Sequence, residues 1–191
     1  MGKKFRAIGV FALSVFVLGS MVFAQDDAET DANQFKYVGA KKCMPCHMSP
    51  AKGAQYKQWM SSPHSNAYKT LGTEAAKEAA PEGIDNPQEA PECLKCHVTG
   101  YEASDDRKVE KYDMTEGVSC ESCHGPGSDY WKMPVMMGIS KGTMEAAVHG
   151  LEYPDEETCI QCHNDESPTF DGFNYEESYK KIAHPNPQNQ G

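Results

Sequence analysis

The chain runs to 191 residues, 39% of them apolar, and carries 28 acidic against 18 basic side chains for a formal net charge of −10. So acidic a surface excludes nucleic acid and anionic lipid headgroups as partners, because both repel it at long range. The modest apolar content excludes a large side-chain core, so a fold of this length needs another source of buried apolar surface.

Lys3, Lys4 and Arg6 precede an apolar run over 7–21 that closes on Val22, Phe23 and Ala24. A basic start, a short apolar stretch and a small final residue predict a secretory signal peptide over 1–24, cleaved after Ala24. The run is too short for a confident membrane span, so an exported, periplasmic chain with no stable membrane insertion is expected, and an uncleaved anchor is the alternative. Cleavage removes three basic residues and leaves the mature chain more acidic still. Residues 25–40 open on an acidic, aperiodic run and are expected to form a flexible leader.

A single domain is expected over 41–185. It opens with Cys43-Met44-Pro45-Cys46-His47, after which Ala54, Tyr56, Trp59 and Met60 fall at helical spacing. Ser62-Pro63 reads as an N-cap and first-turn proline of a second helix through His64, Ala67, Tyr68 and Leu71. Residues 73–80 are helical by propensity, and Pro81, Gly83, Pro87 and Pro91 break the chain before Cys93-Leu94-Lys95-Cys96-His97. A charged turn over 105–108 followed by a short alternating segment predicts a small hairpin.

Cys120-Glu121-Ser122-Cys123-His124 follows the second such run at the shortest separation in the chain, which predicts that the two are neighbours. Gly125-Pro126-Gly127 forbids its helix from continuing, and Tyr130 and Trp131 are expected to pack in the core. Residues 143–149 predict a short helix that stops at Gly150. Cys159-Ile160-Gln161-Cys162-His163 leads through a polar loop to a helix over 176–183 that halts at His184-Pro185, and the tail over 186–191 is expected to fray.

The CxxCH pattern thus occurs four times and uses all 8 cysteines. Zinc ribbons, redox CxxC pairs and disulfides all use paired cysteines, yet none needs a histidine directly after the second one. With only 7 histidines in the chain, four such placements are not accidental, and a two-zinc protein is the remaining alternative. In CxxCH the two thiols add across the vinyl groups of one haem and the adjacent histidine becomes the proximal iron ligand. Four covalent haem c groups follow, attached through Cys43, Cys46, Cys93, Cys96, Cys120, Cys123, Cys159 and Cys162, with His47, His97, His124 and His163 proximal. Four porphyrins supply the missing core, so the fold class is mainly α, with short helices and loops wrapped around the haems. His64, His149 and His184 remain, each near the end of a predicted helix, and are the candidate distal ligands. One iron is then left without a distal histidine, and a methionine is the alternative ligand there.

SSPHSNAY after the first motif, CHVTGY at the second and GVSCESCHGPGSDY at the third together resemble the tetrahaem cytochrome c-554 family, over most of the mature chain. The resemblance implies a mostly helical periplasmic carrier whose closely spaced haems alternate between parallel and perpendicular pairs. It implies electron flow from hydroxylamine oxidoreductase towards the membrane, nitric oxide reduction in some members, and a five-coordinate second haem, here at His97. The ammonia-oxidiser protein is basic and this chain is acidic, so its donor and acceptor do not carry over; a redox partner with a basic docking face suits the charge. A subunit of an extracellular cytochrome filament is a further alternative, although such filaments need a distal histidine on every haem and this chain is one short.

Overall fold

Proline and glycine divide the polypeptide into pieces too short to be stable helices on their own. The computed structural model describes residues 34–184; the expected signal peptide, the first part of the leader and the tail lie outside the described residues. The α-helices are α1 (Met44–His47), α2 (Gln55–Met60), α3 (Ala67–Thr70), α4 (Glu74–Ala79), α5 (Pro91–His97), α6 (Cys120–His124), α7 (Met133–Ser140), α8 (Glu156–Ile160) and α9 (Tyr175–Ile182), joined by 3-10 turns. Pro91 and Pro134 sit in the first turns of α5 and α7, where a missing N–H costs nothing. Thr73, Asp155 and Asn174 cap α4, α8 and α9 by accepting from Ala76, Thr158 and Glu177 N–H groups. The mainly α expectation holds: among the described residues, strand pairing is limited to an isolated parallel bridge between Tyr37 and Lys108.

The side-chain core is as thin as the composition implies. Leu71, Leu94 and Val98 form a buried cluster, with Tyr68, Cys93 and Tyr101 packed against it. Phe35, Val38, Ala40, Tyr56, Tyr130 and Leu151 are also buried, while Met44, Met48, Met60 and Ile160, on or beside the motif helices, stand exposed.

Several expectations need correction. Residues 35–40 do not belong with a flexible leader: Ala40 is fully buried, and Lys36 N–H donates to Ser128 Oγ at 2.9 Å. Composition marked the acidic stretch before them, but burial is decided by partners far along the chain. No hairpin forms over 105–113. Instead Asp105–Arg107 is a 3-10 turn, and Tyr37 supplies the pairing edge, its N–H donating to Arg107 O at 2.8 Å and its carbonyl accepting from Val109 N–H at 3.0 Å. The second predicted helix starts as a 3-10 turn, Pro63–Asn66, before becoming α3. The helix expected over 143–149 shrinks to the 3-10 turn Ala147–His149, because Thr143 N–H instead closes α7 by donating to Gly138 O at 2.9 Å. Helix α7 had no counterpart in the sequence reading. Tyr130 packs as expected, whereas Trp131 lies at the surface with Lys42 Nζ 5.1 Å from its ring centre.

Candidate functional site

Within each motif the second cysteine and the histidine follow the first by three and four residues, so one helical turn presents all three on the same side. Helices α1, α5 and α6 hold the first three motifs, and α8 runs into the fourth, where His163 N–H still donates to Cys159 O at 3.0 Å. No two of the eight cysteines are joined by a disulfide. The Cys43 side chain lies beside that of Cys120, and Cys96 beside Cys162, so the first motif meets the third and the second meets the fourth. Burial pushes the Cys123 thiol up to about 11 and that of Cys162 up to about 12. Motifs two and three are also neighbours, as their spacing predicts: Thr99 N–H donates to Gly117 O at 3.0 Å, and Thr99 Oγ1 lies 2.6 Å from Ser122 Oγ. Among the described residues no three His, Cys, Asp or Glu side chains converge as a bare metal ion requires.

Three of the motif histidines are anchored through Nδ1 in a similar way. Nδ1 of His97 donates to Ala67 O at 2.9 Å, Nδ1 of His124 donates to Glu152 O at 2.9 Å, and Nδ1 of His47 lies 3.2 Å from Gln55 Oε1. A carbonyl only accepts, so the proton sits on Nδ1 and the lone pair stays on Nε2, the tautomer a metal ligand needs. Two of the candidate distal histidines lie beside motif histidines. The His64 and His163 ring centres are 6.0 Å apart with planes at 63°, and those of His124 and His184 are 5.8 Å apart at 46°. Two metal–nitrogen bonds of about 2 Å, plus the distance from each nitrogen to its ring centre, come to about 6 Å. His149 is placed differently, with Nδ1 2.7 Å from Asp129 Oδ2.

The family described as Cytochrome c554 and c-prime matches residues 25–125, and that described as Cytochrome c7 and related cytochrome c matches residues 81–179. Cytochrome c-554 of Nitrosomonas europaea is 30% identical over 173 residues, a span covering 84% of this chain and 68% of that protein. The chain belongs to the cytochrome c-554 family. It is therefore a c-type cytochrome, an electron carrier that binds haem c covalently. No solved structure matches it. No helix among the described residues is long and apolar enough to cross a membrane.

The residues present fit the prosthetic group that the c-554 family implies. Cysteine pairs and histidines share helical turns, two imidazole pairs have ring centres about as far apart as two axial ligands would be, and exposed methionines and Ile160 offer apolar surface to a flat apolar plate. Partial burial holds His64 and His124 below the ordinary histidine pKa, which favours the neutral ring that can donate a lone pair. Their folded pKa values lie below the unfolded value, so the unfolded chain takes up more protons on acidification. This contribution to stability is present above the ordinary histidine pKa and is lost as pH falls through the folded values.

Sequence reasoning missed two features of this c-554 site. Phe173 stacks on His163 with ring centres 4.9 Å apart and planes 16° from parallel, which fixes the plane of that imidazole. Glu121, in a variable position of the third motif, is only 2% exposed and accepts from Val38 N–H at 2.9 Å, Gly39 N–H at 2.7 Å and Gly127 N–H at 2.6 Å. This carboxylate ties the segment before the first motif to both ends of the third. Burial raises its pKa, opposed by the three N–H donors. Beside it, Gly125 has φ +72°, and a Cβ there would meet Gly150 O at 2.7 Å; only glycine lets the third motif lie against the segment that follows His149.

Proposed function

We propose that the chain is an exported tetrahaem c-type cytochrome that passes electrons between redox proteins outside the cytoplasmic membrane. The observation that carries this reading is the opposition of His64 to His163 and of His124 to His184, at 6.0 and 5.8 Å. A haem held between either pair would be closed on both faces by imidazole and would have no position for a substrate, which supports transfer over a dedicated reaction. Cys43 with Cys46, Cys93 with Cys96, Cys120 with Cys123, and Cys159 with Cys162 are the attachment residues. When bound, haem c supplies a one-electron iron couple whose potential is set by axial ligand, burial and hydrogen bonding.

The chain's own residues do the rest. Ala67 O and Glu152 O hold His97 and His124 in the ligating tautomer, Gln55 orients His47, and Phe173 fixes the plane of His163. His149 would serve one of the two remaining haems, and the family resemblance, which puts the open position at His97, would assign it to the haem of His47. That open position favours a second reading, a carrier with nitric oxide reductase activity there, and it rests on the count of 7 histidines. The basic, apolar segment over 1–24 supports export, and the acidic mature chain supports a partner with a basic docking face, to which association is faster at low salt.

Mass spectrometry of the denatured mature protein is expected to show four covalent haems, and electron paramagnetic resonance of the oxidised protein three low-spin ferric signals beside one high-spin signal. A mass equal to the bare chain would sink the tetrahaem reading. Four low-spin signals in the isolated monomer would remove the open position, and the reductase reading with it.

A further inference from the structure

His149 differs from the other anchored histidines in what its ring proton meets. His97 and His124 donate Nδ1–H to neutral backbone carbonyls, whereas His149 Nδ1 lies 2.7 Å from the carboxylate of Asp129. An aspartate is ionised at neutral pH, and a carboxylate acceptor draws the ring proton more strongly than a carbonyl and raises the basicity of the opposite nitrogen. The other Asp129 oxygen accepts from Lys132 Nζ at 2.7 Å, so a cation offsets part of that charge.

Both partners are held by the third motif rather than left on a free surface. Asp129 lies between Ser128, whose N–H donates to Lys36 O at 3.0 Å, and Tyr130, whose hydroxyl donates to Gly125 O at 2.7 Å. His149 ends the turn Ala147–His149, and the chain beyond it docks back through Glu152 N–H, which donates to His124 O at 3.0 Å. The His149 and Asp129 side chains are 21% and 28% exposed, so solvent screens their contact less than it screens a fully exposed pair.

We propose that Asp129 is a positioning and potential-tuning residue for His149, making this imidazole a stronger donor than its carbonyl-anchored counterparts and holding its iron more firmly in the ferric state. The proposal rests on the reading of His149 as a distal ligand. Its test is a potentiometric titration of the holoprotein combined with electron paramagnetic resonance. In Asp129→Asn the amide oxygen still accepts from Nδ1–H while the charge is gone. The low-spin count is expected to stay the same while one haem's reduction equilibrium shifts about tenfold towards the ferrous form, about 59 mV for a one-electron couple. Lys132→Met is expected to shift the same haem the opposite way. Unchanged potentials in both variants would reduce the contact to an ordinary loop anchor and overturn the proposal. His149→Ala separates the two levels: loss of one low-spin signal upholds the ligand reading, and an unchanged spectrum overturns that reading and the proposal together.

Discussion

Replacing His184 with alanine is expected to convert one low-spin ferric signal of the holoprotein into a high-spin one and to leave the others as they are. The His124 and His184 ring centres are 5.8 Å apart, close to the span of two axial ligands, so removing one ring leaves its iron five-coordinate or water-bound. His64→Ala is expected to do the same to the haem of His163, whose ring remains fixed by Phe173, and the double variant is expected to lose two low-spin signals. In each variant the covalent haem count stays unchanged, since attachment runs through cysteines on other elements. A low-spin count that survives both single substitutions would mean that these ring pairs do not bracket iron.

Glu121→Ala is expected to be among the most destabilising single substitutions in the chain. It strips the acceptor from Val38, Gly39 and Gly127 N–H groups in a place where Glu121 is 2% exposed and water does not readily replace it. An unsatisfied buried donor costs about 1–3 kcal/mol, so orphaning three costs about 3–9 kcal/mol, against a whole-domain stability of about 5–15 kcal/mol. Glu121→Gln keeps one oxygen but turns an NH2 group towards backbone donors, so an intermediate loss is expected. Denaturant unfolding of the holoprotein reads both, and a change below about 1 kcal/mol for alanine would show that the buried N–H groups find other partners.

The sequence alone determined what is local. Attachment of haem c is written in five consecutive residues, so four CxxCH runs disclose it without any knowledge of the fold. Proline and glycine act on their own φ angles, so the short-helix character was legible too, and so was the helix over 176–183, found as α9 (Tyr175–Ile182). Counting spare histidines singled out His64, His149 and His184, but not their opposites. His64 reaches His163 and His124 reaches His184 only because remote segments fold together, and no local pattern encodes which imidazole faces which. The same holds for Tyr37 in place of a hairpin partner, and for residues 35–40, which composition grouped with a leader although Glu121 accepts from two of their N–H groups. Glu121 stood unmarked because a variable motif position gives no sign of burial, and Asp129 because an aspartate meets a histidine 20 residues away only after Gly125 and Gly150 bring their backbones together. Local steric and covalent rules act over a few residues and can be read from order alone; burial, tautomer and ligand opposition depend on long-range contacts, which only the folded chain supplies.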